Sequence, residues 1–535
     1  MLRIQTRESA VDKLKIPLTF FIAATVTRLP FASRLLYNMD SVQFALGLDD
    51  YDVSLHQPHP PGYYLYVQLG KLARYFLHDP NRAFIAVSIL TGALAVSLIY
   101  VLAREMFDED AAMAAGLAAL TSPLLWFHGE VALSYAPEAL MSALVALLCW
   151  RTVNGRPGFW LYASVAIGIA GGIRQNTMVF LAPLWLYAMW SAGARKAAAG
   201  AFVAGATVLT WFVPMLADTG GYERYRAALS AHWLDANWHG IGLRWSLYNA
   251  GYMGRFIAGA LAFAAVPAAV QLFRTRGGRK PFGFDGPRPA FLAAWIMPAL
   301  LFHLVIFTHP AVPGHTLIYA AGLFVIAGRL LALFARGTAV NLMHGADAKK
   351  FVFGAVAAAN AFFFVFVNTP LSAKRIREHD LLLSSSINAV RENFSPKDTE
   401  VLASELFDMG YRHAMYYLPE YRVHDNVSLT TKDGPRIFWG RGRKTGRSRY
   451  ITFLPAAARF VDFEYYDPDD AERVPAAARL ISLPEGKLMT WYDSASDLLL
   501  VPRYSEHLDP SLKAEKLSAR PAVYPGDGSH ARQTP

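Results

Sequence analysis

The 535-residue chain has a single cysteine, Cys149, and little charge: Asp, Glu, Lys and Arg together make up 17% of it. One thiol excludes a disulfide framework and any cysteine-based metal site. Its place beside Trp150 in an apolar run reads as a small buried residue. Soluble chains of this length carry about 25% charged residues. The shortage here, with 54% hydrophobic residues and a mean hydropathy of +0.24, argues against a soluble globular protein. No repeat of solenoid type is evident. No small-residue cleavage site follows the first apolar run before Tyr37, so that run reads as an uncleaved span. The net charge of +10 does not imply nucleic acid, because much of it sits in short loops.

What the chain does have is apolar windows long enough to cross a hydrocarbon core of about 30 Å. They run near 16–36, 83–103, 111–127, 136–152, 158–173, 177–193, 198–217, 250–272, 289–308, 316–335 and 351–368. The expected fold is an all-α polytopic membrane protein of about eleven transmembrane helices over residues 1–368. Lys and Arg orient it. Arg104, Arg151, Arg156, Arg195, Lys196, Arg274, Arg276, Arg279, Lys280, Lys349 and Lys350 fall in alternate loops, whereas 128–135 and 309–315 hold neither residue type. The N-terminus is therefore expected in the cytoplasm and everything after Asn368 outside. Residues 369–518, with β-like runs at Tyr450–Leu454 and Leu498–Val501 and a helix-like stretch at Asp398–Met409, read as a soluble α/β or α+β domain. The Pro-, Gly- and Ser-rich end, 519–535, reads as a disordered tail.

Chemistry-bearing residues crowd the first outer loop. Asp40 follows the first span, and an ionised carboxylate there needs a water edge or a polar cavity. Its plain reading is an N-cap for a helix at 41–48. Its functional reading is a general base that takes a proton from an attacking hydroxyl. His59-Pro60-Pro61-Gly62 is a stiff elbow, since each proline restricts itself and its predecessor while Gly62 permits a reversal. It would aim His59 and lead Tyr63, Tyr64 and Tyr66 along the membrane interface, or simply turn a corner. Asp49, Asp50 and Asp52, with His56 and His59, leave a divalent metal open, although acids in an outer loop are more often only solvated. No other cofactor is implied.

Later outer loops add candidates. Glu138 suits the first turn of a helix opened by Pro137, whereas Glu130 lacks such an explanation and reads as a second polar group facing a cavity. Arg174, in Gly171–Asn176, is placed to stabilise a phosphate leaving group, or to snorkel to the interface. Arg224, Arg226 and Arg244 are alternative phosphate or headgroup contacts. His309 and His315 bound another proline-rich turn that would line the same cavity or merely connect two spans.

Asp40 after the first span, the run His59-Pro60-Pro61-Gly62-Tyr63-Tyr64-Leu65-Tyr66, and Gly171–Asn176 leading into Phe180–Leu186 resemble the GT-C glycosyltransferase superfamily. The likeness is greatest to its protein O-mannosyltransferase-like branch, with the bacterial lipopolysaccharide sugar transferases nearby. It spans residues 16–335 and is densest over 38–75. It implies an inverting transfer of sugar from a polyprenyl-phosphate-linked donor to a lipid, glycan or protein hydroxyl, at the outer face of the inner membrane. By position it makes Asp40 the catalytic base and puts Glu130 and Arg174 in the cavity; His59, Tyr63, His309 and His315 join them as substrate contacts on the reading of the loops alone. Relatives often carry a second acid three residues on, where this chain has Gln43. That departure supports one rival, a non-catalytic member acting in cell-envelope assembly. The other rival, a lipid-linked sugar flippase, would show polar residues at the bilayer midplane and paired repeats.

Overall fold

Helix starts in the membrane part follow capping chemistry. Asp79, Asp108 and Ser122 take extended backbone and accept a hydrogen bond from the amide three residues on, and a helix opens after each. Prolines 80 and 123 then occupy first helical positions, where no amide hydrogen is needed. The structure is a computed structural model. It describes residues 10–235, 242–274, 285–309, 311–341, 345–397, 399–403 and 409–425, with strand segments at 436–439, 449–455, 460–465, 479–483, 486–492, 500–505 and 514–515. It divides into two units, Met1–Ser33 with Phe44–Arg375, and Arg34–Gln43 with Ile376–Pro535.

The helices are α1 (Ala10–Arg28), α2 (Met39–Leu46), α3 (Tyr64–Leu77), α4 (Pro80–Met106), α5 (Glu109–Leu120), α6 (Pro123–Gly129), α7 (Tyr135–Val153) and α8 (Trp160–Ile173). There follow α9 (Gln175–Ala192), α10 (Ala194–Asp218), α11 (Tyr222–Asp235), α12 (Leu243–Leu261), α13 (Ala265–Arg274), α14 (Arg288–Val305), α15 (Leu317–Asn341) and α16 (Gly345–Phe366). Each apolar window falls on one of these helices or on a broken pair. Among the described residues, however, only eight are long and apolar enough alone to cross a membrane, or nine if α5 and α6, bent by 55°, form one span. The count is thus lower than the expected eleven: α8 is short, and α9 opens on the polar Gln175-Asn176-Thr177. The chain is a multi-pass membrane protein.

In the first unit α4, α7 and α15 form the centre, with 67%, 78% and 72% of their apolar windows buried, against 17% for α1, α10 and the α12–α13 pair. Small residues let central helices approach: a Cβ on Gly328 of α15 would stand 2.5 Å from that of Ala115 on α5. Polar side chains tie the spans together. Ser142 donates to the Ile318 carbonyl at 2.6 Å and accepts from the Trp295 indole at 2.9 Å. Where α12 breaks before α13, Asn360 of α16 accepts the freed Phe263 amide at 2.9 Å. Several cations read as inner-loop charges are ion-paired, among them Arg151 with Glu105 and Lys349 with Asp110, each at 2.7 Å.

The second unit contains α17 (Ala373–Asn393), β1 (Thr399–Ala403), α18 (Tyr411–Tyr417), β2 (Arg422–Asp425), β3 (Arg436–Trp439), β4 (Arg449–Pro455), β5 (Phe460–Tyr465), β6 (Arg479–Leu483), β7 (Gly486–Tyr492), β8 (Leu500–Ser505) and β9 (Ala514–Glu515). A seven-stranded mixed sheet runs β3-β2-β1-β4-β7-β6-β9, and β5 pairs with β8. The stretch expected to be helical from Asp398 begins instead as β1, a strand parallel to both β2 and β4. Its short apolar run, Val401-Leu402-Ala403, has no periodicity that separates strand from helix. Tyr450–Leu454 lies within β4 and Leu500 opens β8. Leu498, Leu499 and the tail 519–535 lie outside the described residues. Leu383, Ile387 and Val390 of α17 pack with Val401, Ala414, Leu418 and Val423 in the core of this unit.

Candidate active site

The elbow at 59–62 is held from four directions. The Pro61 carbonyl accepts from the Gln175 amide of α9 at 2.8 Å and from the Tyr225 hydroxyl of α11 at 3.2 Å. The Tyr51 hydroxyl donates to the Gly62 carbonyl at 2.6 Å, and burial pushes its ionisation up, which keeps it a donor. Gly62 has φ +123°, and a Cβ there would meet Met215 of α10 at 2.8 Å. The turn delivers His59 to the Tyr63 hydroxyl, with Nε2 at 2.9 Å, while His232 lies near both His56 and His59 at ring distances of 5.9 and 5.8 Å. Tyr63 and Tyr66 do not lie along an interface as expected. Both are buried against Phe44, because the inner face of α3 packs inward and leaves Leu72, Tyr75 and Phe76 exposed.

Arg174 sits in extended backbone between α8 and α9, and its side chain is buried. Its guanidinium lies 4.5 Å from the Tyr135 ring centre and 5.7 Å from that of Tyr63. Glu138 of α7 is its counter-ion, with Oε1 3.7 Å from Nε, and Ser134 stands 3.4 Å from Nη1. Glu138 also accepts from Thr177 at 2.9 Å. Glu138 therefore does more than complement the α7 dipole as the sequence suggests. Tyr135 links this group to His128 and His315, at ring distances of 5.1 and 5.7 Å, and His315 stacks on His303 at 5.8 Å. His59, Tyr63, Arg174 and His315 are thus joined through shared rings. Sequence reasoning missed Tyr135, Gln175, Tyr225 and His303. The one available signal was the polar Arg174-Gln175-Asn176 break between two apolar runs.

Other expected groups sit elsewhere. Glu130 is fully enclosed. Burial pushes its carboxyl well above the ordinary value, with the nearby Arg28 opposing the shift. His309 accepts the Ala311 amide at 3.2 Å and lies beside Phe307. The acids of the first loop disperse: Asp49 pairs with Arg74 at 2.7 Å, Asp52 with Arg224 at 2.6 Å, and Asp50 is exposed. Among the described residues no group of three or more His, Cys, Asp or Glu is arranged to hold a metal ion. Arg226 pairs with Glu223 at 2.9 Å, and Arg244 lies over the Trp245 ring.

Asp40 belongs to the second unit. It stands in the first turn of α2, and the cap is Asn38, not Asp40: Asn38 Oδ1 accepts the Ser41 amide at 3.0 Å. The Asn38 amide in turn donates to Ser41 Oγ at 3.4 Å, a reciprocal arrangement like a capping box. Helix formation therefore does not depend on the Asp40 carboxylate as a cap, and its negative charge suits the helix N-terminus.

Comparison with solved structures decides the fold. ArnT from Cupriavidus metallidurans, bound to undecaprenyl phosphate, matches with a TM-score of 0.54 at 12% identity, covering 90% of this chain and 98% of that one. Its apo form gives 0.53 at 13% identity with the same coverage. This chain has the GT-C glycosyltransferase fold. Residues 58–217 also match the family model of dolichyl-phosphate-mannose-protein mannosyltransferases. No curated protein sequence matches the chain. The matched segment contains the elbow, Tyr63, Glu130, Tyr135, Glu138, Arg174 and Gln175. Asp40, Tyr225, His303, His309 and His315 lie beyond it.

Proposed function

We propose that this chain is an integral-membrane glycosyltransferase that moves a sugar from a polyprenyl-phosphate donor to a hydroxyl of a lipid, glycan or protein. The observation that carries this reading is the likeness over nearly the whole chain to ArnT, one of whose structures is bound to undecaprenyl phosphate. The match of 58–217 to a mannosyltransferase family model, which uses a lipid-phosphate sugar by its description, points the same way. The proposed topology puts the N-terminus in the cytoplasm, and residues 369–518 with the tail 519–535 outside the inner membrane.

In the proposed reaction Asp40 takes the proton of the acceptor hydroxyl as its oxygen attacks the anomeric carbon. The bond from that carbon to the donor phosphate oxygen breaks, and polyprenyl phosphate departs with the electron pair. A single displacement inverts the anomeric centre. Arg174 is the proposed group for the charge developing on phosphate. Its contact with Glu138 at 3.7 Å is longer than a charge-assisted hydrogen bond, so its donors are not all spent on that partner. His59, Tyr63 and His315 are proposed to bind the sugar or phosphate, with His309 at the edge.

The test is transfer from a panel of labelled polyprenyl-phosphate sugars, with wild type and Asp40→Asn in parallel. Transfer that disappears in the variant, with donor still bound, supports the assignment. Undiminished transfer by Asp40→Asn removes Asp40 as base. Donor that crosses the membrane with its sugar attached would make the chain a transporter.

A further inference from the structure

The main chain of residues 34–38 is not part of any helix or strand, yet polar groups of Arg34, Leu35 and Leu36 are satisfied within the second unit by side chains far along the sequence. The amides of Arg34 and Leu35 donate to the two carboxylate oxygens of Asp380 on α17, at 2.9 and 3.3 Å. The Leu36 amide donates to the Tyr417 hydroxyl at 2.8 Å, and its carbonyl accepts from His413 Nε2 at 3.0 Å, both from α18. The Tyr37 ring stacks on His379 at 4.3 Å. Leu35 and Met39 pack against the apolar core of the same unit. Asp380, His379 and His413 are all buried.

This arrangement costs desolvation. A buried carboxylate is stable only when its oxygens accept hydrogen bonds, and here two consecutive amides supply them. Such charge-assisted bonds are roughly twice as strong as neutral ones. Three residues separate Leu36 from Asp40, and within them Met39 packs against the core and Asn38 caps α2. No slack is left between the clamp and the acid.

We infer that Asp380, with Tyr417 and His413, is a positioning group for Asp40: the C-terminal unit holds the loop that carries the base at its working position. The inference rests on Asp40 as the base. A general base acts within hydrogen-bond reach of its proton, and a displacement of 1 Å costs on the order of a hundredfold in rate. A group that acts only through the position of Asp40 should, when loosened, lower kcat and leave the donor KM unchanged.

The experiment uses the full chain in lipid nanodiscs with three variants, Asp380→Asn, Tyr417→Phe and Asp40→Asn. Two readouts are taken: amide hydrogen exchange over residues 34–38, and transfer kinetics. Asp380→Asn replaces one acceptor oxygen by a donor that faces an amide. It should speed exchange at Arg34 and Leu35 and lower kcat about tenfold to hundredfold. Tyr417→Phe removes a single acceptor and should speed exchange at Leu36 with a smaller loss of kcat; it carries the test if Asp380→Asn does not fold. Unchanged exchange in both variants overturns the clamp. Faster exchange with an unchanged kcat overturns the positioning role. Asp40→Asn separates the two ideas: full transfer by that variant defeats the base itself, whereas exchange still reports on the clamp.

Discussion

Gly62→Ala is the sharpest test of the elbow. Gly62 has φ +123°, a conformation that costs a residue with a Cβ about 1–3 kcal/mol. The new Cβ would stand 2.8 Å from Met215 Sδ, 2.9 Å from the Tyr51 hydroxyl and 3.2 Å from Val53 Cγ2. The methionine is flexible and can yield at little cost. The phenol cannot, because it is held at 2.6 Å to the Gly62 carbonyl, and moving it forfeits about 1 kcal/mol of net hydrogen bonding. The expected total is about 2–4 kcal/mol. The assay is unfolding of the purified protein in mixed micelles under increasing denaturant. Tyr51→Phe alone should cost about 1 kcal/mol. It also removes the oxygen that the Cβ meets, so the double variant should cost about 1 kcal/mol less than the sum. Strict additivity, or a Gly62→Ala cost near zero, refutes the account of how the elbow is held.

Two further perturbations bear on the membrane unit. Glu138→Gln leaves the buried Arg174 without its counter-ion and should destabilise by about 3–5 kcal/mol, whereas adding Arg174→Met should recover part of the loss. A thermal unfolding midpoint of the double variant at or below that of Glu138→Gln argues against the pairing. Asn360→Leu strips the acceptor from the Phe263 amide at the break between α12 and α13, for about 1–3 kcal/mol, and exchange at that amide should rise well before global unfolding.

Composition and window length made the fold class legible, because lipid imposes one periodic demand over about 20 residues at a time. Eleven windows stand against eight helices, or nine with α5 and α6 as one span, that are long and apolar enough alone to cross among the described residues. α8 and α9 are apolar enough to be seen, but the first is short and the second has a polar opening turn. The elbow, Asp40 and Arg174 were visible because proline, glycine and isolated charges stand out in an apolar sequence. Their partners were not. Nothing at Asp380 or Tyr417 announces a hydrogen bond to residues 34–36, since that pairing depends on a chain separation of more than 340 residues. Asp398 also read as a helix start, because the five-residue strand β1, with three apolar residues, carries too few positions to reveal its period.

What unites the candidate residues is that they come from places where helices stop. Arg174 stands between α8 and α9, Tyr63 precedes α3, His315 lies in the turn Pro313–Thr316 before α15, and Asp40 opens α2. Within a bilayer, backbone groups released at such breaks must find partners in protein or in a polar cavity. Side chains able to satisfy them, such as Gln175 on the Pro61 carbonyl, are also those able to bind a polar substrate. The breaks therefore concentrate donors and acceptors that lipid would otherwise exclude. Asp380 applies the same rule in the second unit, where its carboxylate satisfies the irregular chain before α2. A substitution at a break should accordingly disturb stability and chemistry together, whereas one in the middle of α4 or α15 should disturb stability first.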